Sequence, residues 1–194
     1  MVIGLTGGIG MGKSTAAAAF RRARIPVFDA DAAVHQLQAK DGAALPAIGA
    51  AFPGTVAARA LDRARLRDAV VGNDAAMRRL EAIMHPMVRA LERRFLARAR
   101  RAGACAAVLD IPLLLETRAG RKLDLIIVVS APRSVQVARV RQRRGMSTAQ
   151  VDAIIARQMP DAQKRRLADL VVRTGLSRNT ALRPLRRLIA MLRG

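Results

Sequence analysis

The chain has 194 residues, enough for one domain with a sizeable core, and 52% of them are hydrophobic, which excludes a disordered chain. Its formal net charge of +21 favours polyanionic partners and anionic ligands, and no apolar run approaches the length of a membrane span. One cysteine, Cys105, leaves no internal disulfide and no zinc-type Cys/His cluster, which fits a reducing cytoplasm.

Residues 2–5 (Val-Ile-Gly-Leu) read as a short buried strand, and residues 15–23 as a helix with Phe20 on its apolar face. Between them Gly7-Gly8-Ile9-Gly10-Met11-Gly12-Lys13-Ser14 fits the phosphate-binding pattern G-x-x-x-x-G-K-[ST]. A loop placed there aims several backbone N–H groups at one spot, and the helix N-terminus adds its positive dipole end. Side chains at Gly8, Gly10 and Gly12 would block the approach of phosphate oxygens, and some of these positions call for positive φ. Met11 and Thr15 join the loop through their backbone amides. Lys13 is placed to reach the β- and γ-phosphates, and Ser14 to set its hydroxyl on Mg²⁺. The alternative is a chance Gly-rich turn, against which strand, loop, Lys-Ser and helix stand in register.

A second strand at residues 26–28 meets two carboxylates, Asp29 and Asp31. In an open parallel sheet ligands collect beyond the C-terminal strand ends. A kinase needs a carboxylate there to take the acceptor's proton or hold Mg²⁺. Asp29 reads mainly as the cap of the next helix and Asp31 as the chemical group. Helices are expected at residues 31–39, 43–51, 63–71, 74–84 and 87–101, a helical insertion beside the sheet. Pro53-Gly54 breaks the run, Asn73 caps the helix from Asp74, and His85-Pro86 should end or bend that helix. His85 is a hinge, a core residue or a ligand, and His35, one turn beyond Asp31, is a pocket residue or an ordinary helix residue.

Apolar runs at residues 106–111, 125–129 and 170–172 complete five short strands of a parallel sheet covered on both faces, with right-handed crossovers. Cys105, inside the apolar stretch 104–109, is expected as a buried thiol. Asp110, at its end, either supports Mg²⁺ through water or makes a structural hydrogen bond. After the fourth strand a helix runs from Ala131-Pro132 to Arg144 and stops at Gly145; Ser147-Thr148-Ala149-Gln150 is a capping box that opens another, and Pro160 closes it. These two basic helices suit either a lid over an anionic ligand or a solvated hairpin. From Arg133 onward fifteen Lys/Arg stand against three Asp, so more than half of the charge excess is in the last third. No Trp, no Tyr and only four Phe leave few platforms for stacked bases, which argues against an obligatory nucleic-acid partner.

The ordered set of motifs resembles the dephospho-CoA kinase family over almost the whole chain. The residues that carry the resemblance are Leu5-Thr6-Gly7-Gly8-Ile9-Gly10, Gly12-Lys13-Ser14-Thr15, Asp29-Ala30-Asp31, Leu61-Asp62-Arg63 with Leu66, His85-Pro86 and Pro112-Leu113-Leu114-Leu115-Glu116. Further on come Gln136, Arg139 and Arg143, then Gly145-Met146-Ser147, Gln158 and Ala168-Asp169. Met11 departs from the family's small residue, and Val172-Arg173-Thr174-Gly175 departs from a more acidic or amide-bearing stretch, which puts an adenine contact there in doubt.

The resemblance implies a three-layer α/β/α P-loop kinase fold with a five-stranded parallel sheet. Residues 1–31, 104–138 and 160–194 would form the nucleotide-binding core, 32–103 a helical acceptor domain and 139–159 a lid. It implies transfer of the γ-phosphoryl of ATP, with Mg²⁺, to the ribose 3′-hydroxyl of dephospho-CoA. A cytoplasmic enzyme is expected from the single cysteine, as a monomer with an oligomer as the alternative. Lys13, Asp31 and Arg139 would be catalytic, Arg143 would assist at the nucleotide, and Thr6, His35 and His85 would face the acceptor. Another small-molecule kinase of this fold, or a basic nucleic-acid-binding ATPase, is the alternative.

Overall fold

The computed structural model describes residues 1–116, 122–144, 147–156, 158–175 and 177–193, and only the backbone of Arg143, Arg144 and Arg178. The Gly145-Met146 helix stop therefore lies outside the described residues. The chain divides into two compact units, Met1–Phe28 with Ala99–Gly194, and Asp29–Arg98.

In the first unit β1 (Val2–Thr6), β2 (Val27–Asp29), β5 (Ala107–Asp110), β6 (Leu125–Ser130) and β7 (Leu170–Arg173) form one sheet in the order β2-β5-β1-β6-β7. β1 is central and runs parallel to both neighbours, with Leu5 opposite Asp110 on one side and Ile127 on the other. β6 and β7 are also parallel, with Val129 opposite Val172. The apolar runs form these strands because both faces are covered, so no polar alternation is needed. Ile3, Leu5, Val108, Ile127, Val129 and Val172 are buried against Phe20 of α1 (Lys13–Arg22) and against Leu182, Leu185 and Ile189 of α9 (Arg178–Arg193). Two aspartates tie strand starts together. Asp124 Oδ2 accepts from Val2 N–H at 2.6 Å, and Asp169 Oδ2 from Ile126 N–H at 2.7 Å.

Cys105 is exposed, not buried as expected. Pairing begins only at Ala107, so Cys105 falls in the connection that precedes β5, where its carbonyl accepts from the Met1 ammonium at 3.1 Å. α6 (Arg133–Arg144) and α7 (Thr148–Ala156) follow β6. The capping box is present: Ser147 N–H donates to Gln150 Oε1 at 2.9 Å and Gln150 N–H to Ser147 Oγ at 3.3 Å. A short helix, α8 (Asp161–Arg166), starts directly after Pro160, which sits at its N-cap.

The second unit holds α2 (Ala30–Leu37), α3 (Leu45–Ala51), α4 (Arg63–Val70) and most of α5 (Asp74–Arg101). Asp62 caps α4 by accepting from Ala64 and Arg65 N–H, and Asn73 Oδ1 accepts from Ala76 N–H at 3.0 Å ahead of α5. Two expectations are corrected here. Helix α5 continues through His85-Pro86 as one helix of 28 residues, so the expected end of the helix at that pair is overturned. Proline costs the helix one hydrogen bond, but Met84 and Val88 are buried on either side of it and hold both halves in one helical register. Second, an antiparallel hairpin, β3 (Val56–Ala57) with β4 (Ala60–Leu61), stands where only helices were expected. Its two-residue turn places Ala58 (φ 47°) and Arg59 (φ 62°) in the left-handed region. Asn-Gly usually signals such a turn, so Ala-Arg gave no warning. A groove of about 520 Å³ lies here, lined by Asp41, Leu45, Pro46, Gly49, Val56 and Arg59.

Candidate active site

The loop from Gly7 to Gly12 joins central strand β1 to α1, which starts at Lys13. Gly10 (φ 73°) and Gly12 (φ 92°) take the left-handed conformation, and Gly12 is the N-cap of α1. Glycine is also required sterically at Gly10, where a Cβ would lie 2.7 Å from Val140 Cγ2. The loop's carbonyls are tied to neighbouring elements. Ile9 O accepts from Gln136 Nε2 at 2.8 Å, Gly10 O from Arg139 Nη1 at 3.4 Å, and Met11 O from the Thr174 hydroxyl. The amides of Gly12, Lys13 and Ser14 have no acceptor among the described residues. Carbonyls bound and amides left over is the polarity an anion requires.

Lys13 Nζ lies against Asp110 Oδ1, and Asp110 is 3% exposed at the end of β5. The structure thus brings Asp110 to the phosphate loop and gives it an ammonium partner. The Ser14 side chain is exposed at the first turn of α1. Thr15 is half-buried, and its N–H bonds to Gly12 O at 3.0 Å. Met11 is buried to 4% exposure and its Sδ accepts from Ala131 N–H, so the larger side chain is absorbed by the core and the loop keeps its backbone.

Arg139 lies in α6 and its guanidinium is part-buried. Nη2 donates to Thr174 O at 2.7 Å, and Nη1 to Thr174 Oγ1 at 3.0 Å as well as to Gly10 O. It braces the phosphate loop against the turn after β7. The Arg143 side chain lies outside the described residues. Thr6 is fully buried at the end of β1, where its hydroxyl donates to Pro112 O at 2.8 Å. In the helical unit Asp29 Oδ1 accepts from Ala32 N–H at 3.0 Å, so Asp29 is the cap of α2. Asp31 is exposed in the first turn of that helix, His35 is exposed one turn on, and His85 is exposed on α5.

Three contributors carried no site role in the sequence reading. Thr174 holds Met11 O, Gln158 Oε1 accepts from Ile9 N–H at 3.1 Å, and Lys164 is 1% exposed with Nζ 2.6 Å from Glu116 Oε1. Gln158 and Gln136 stood only as family matches, and Lys164 sits in Gln-Lys-Arg-Arg, which reads as a solvated charge run. Removing one member of a buried pair strands the other charge. Lys164→Met is therefore expected to lower unfolding free energy by about 3 kcal/mol in a urea titration. Lys164→Met with Glu116→Gln should recover most of that loss, and an unchanged single variant would remove the pair from the account.

Magnesium is carried to such sites largely by the nucleotide phosphates. Among the described residues there is no group of three or more His, Cys, Asp or Glu that could hold a metal alone. The donor set, one exposed Ser14 hydroxyl beside free loop amides, fits a phosphate-borne Mg²⁺. Among the described residues no helix is long and apolar enough to cross a membrane.

The comparisons agree with this geometry. A family model for dephospho-CoA kinase matches residues 1–178. The chain is 53% identical over 196 residues to a dephospho-CoA kinase of Gluconobacter oxydans, covering 99% of this chain and 98% of the relative. It is 56% identical over 193 residues to that of Paramagnetospirillum magneticum, covering 100% and 91%. Among solved structures, TT1252 from Thermus thermophilus superposes with a TM-score of 0.86 at 35% identity, covering 100% of this chain and 98% of that one. A shikimate kinase from Acinetobacter baumannii, at 14% identity and a TM-score of 0.52 over 98% and 93% of the two chains, shares the fold alone. A phosphate loop on the central strand of a five-stranded parallel sheet, with matched sequence on every side of it, leaves one assignment: the chain belongs to the dephospho-CoA kinase family.

Proposed function

We propose that this chain transfers the γ-phosphoryl group of ATP to the ribose 3′-hydroxyl of dephospho-CoA, giving ADP and CoA, the last step of CoA synthesis. The observation that carries it is the phosphate loop with the carbonyls of Ile9, Gly10 and Met11 bound and, among the described residues, the amides of Gly12, Lys13 and Ser14 free, in a chain about half identical to dephospho-CoA kinases. The backbone amides of Gly8, Gly10, Gly12, Lys13 and Ser14 take the phosphates, while Ile9 N–H is held by Gln158 and Met11 N–H by Gly8 O; Lys13 neutralises charge that builds on the transferring group. Ser14, with Asp110 or Asp31 through water, would hold Mg²⁺, which would supply neutralisation of phosphate charge. Asp31 orients the 3′-hydroxyl and takes its proton. His35, His85 and Thr6 belong to the acceptor side. The helical unit receives the acceptor, for which the groove beside α3 offers room. Arg143 supports the nucleotide from α6.

Two properties belong to the same proposal. The working unit is a monomer in the cytoplasm, a reducing compartment that suits an exposed free thiol. The basic surface has no obligatory nucleic-acid partner. Coupled ADP release across dephospho-CoA, AMP, CMP and shikimate tests the acceptor. Turnover with dephospho-CoA at least about 10²-fold above the others is expected, a ratio that hydrogen-bonded recognition readily supplies. Equal or better turnover with another acceptor would overturn the assignment.

Arg139 is assigned to the γ-phosphate in the closed state, in addition to its hold on Thr174 and Gly10. Arg139→Ala should then lower kcat by about 10³-fold, and Arg139→Lys should remain impaired because lysine lacks the planar fork. A loss confined to ATP affinity in steady-state kinetics would leave Arg139 as a brace only.

A further inference from the structure

Ile9 is gripped on both sides. Its N–H donates to Gln158 Oε1 at 3.1 Å and its carbonyl accepts from Gln136 Nε2 at 2.8 Å. Gln136 lies near the start of α6 and Gln158 lies two residues beyond α7, so the grip comes from both ends of the α6–α7 helix pair. Gly8 packs against the same two side chains: a Cβ there would lie 3.1 Å from Gln158 Oε1 and 3.3 Å from Gln136 Nε2. Gln136 is 4% exposed.

Gln158 is itself anchored. The next residue, Met159, donates its N–H to Glu116 Oε1 at 3.2 Å, and Glu116 is paired with buried Lys164. Gly8, Gln136, Gln158 and Lys164 line one small cavity of about 50 Å³. A backbone N–H only donates and a carbonyl only accepts, so the two amides cannot exchange roles. Gln158 must accept and Gln136 must donate.

We propose that Gln136 and Gln158 are positioning residues for nucleotide binding. They fix the Ile9 peptide, and through it the flanking Gly8 and Gly10 amides, and so couple phosphate binding to both ends of the α6–α7 pair. The proposal presupposes that the loop binds nucleotide phosphate, as read above.

The two glutamines should tolerate opposite changes. Gln158→Glu keeps an acceptor for Ile9 N–H, whereas Gln158→Met keeps the size and loses the bond. Gln136→Glu sets a carboxylate against the Ile9 carbonyl and should not be tolerated. Mg-ATP affinity is measured by calorimetry on the full chain, with melting temperature as a fold control. Gln158→Met and Gln136→Glu should each weaken ATP binding about 10-fold, and Gln158→Glu should return to within about 3-fold of wild type. The KM for dephospho-CoA should stay within about 2-fold throughout, since the acceptor makes no use of Ile9. Equal ATP affinity in Gln158→Met and Gln158→Glu would overturn the proposal, as would wild-type affinity in Gln136→Glu. Should Gln136→Glu not fold, the Gln158 pair decides alone. A wild-type chain that binds ATP and shows this pattern, yet does not phosphorylate dephospho-CoA, supports the positioning role and overturns only the acceptor assignment.

Discussion

Lys13→Ala is expected to lower kcat for CoA formation by about 10²–10³-fold, the scale seen when a fixed charge or donor aimed at the transferring group is removed. Lys13 stands at the first residue of α1, beside the free amides of the loop, so its ammonium meets phosphate charge where the backbone already attracts it. The same substitution takes the ammonium away from Asp110, which is 3% exposed, so some loss of stability should accompany it. Lys13→Ala with Asp110→Asn separates the two effects. The second change should restore melting temperature and leave kcat low. Retention of more than about a tenth of wild-type kcat in the single variant would count against Lys13 as the catalytic cation.

Asp31→Asn should lower kcat by about 10²–10⁴-fold while the Kd for ATP stays within about 2-fold of wild type. Asparagine keeps the shape and cannot take the acceptor's proton. The structure sharpens this test. Asp29, not Asp31, accepts from Ala32 N–H, so the cap of α2 survives the change. Asp31 is exposed in the first turn, where its charge offers the helix only about 0.3–1 kcal/mol. Stability should therefore barely move. Near-normal CoA formation at saturating ATP and dephospho-CoA would return the search for a base to Asp29 and Asp110.

The strands and the phosphate loop were legible because one physical signal governs each. Apolar runs such as those in β1 and β5 mark strands buried on both faces. Gly10 and Gly12 both take positive φ, and at Gly10 a close approach also leaves no room for a side chain. The caps at Asp29, Asp62, Asn73 and Ser147 are local and equally readable, although only three of them were identified in the sequence. Long-range partners were not legible. Nothing near Thr174 in sequence reveals Met11 O, 163 positions away, and nothing in Gln-Lys-Arg-Arg separates buried Lys164 from its exposed neighbours. Pro86 misled because local propensity favours a break and tertiary burial on both sides of it prevails. Cys105 misled because the apolar run begins before the paired strand, which starts two residues later at Ala107.

The most direct test is the position of the new phosphate. The purified chain is incubated with Mg-ATP and dephospho-CoA, and the product is examined by phosphorus and proton NMR. One new phosphomonoester coupled to the ribose 3′ proton is expected, with one ADP formed per phosphate transferred. A phosphate on any other hydroxyl, or ADP released with dephospho-CoA left unchanged, would contradict the assignment of this chain as a 3′-hydroxyl kinase.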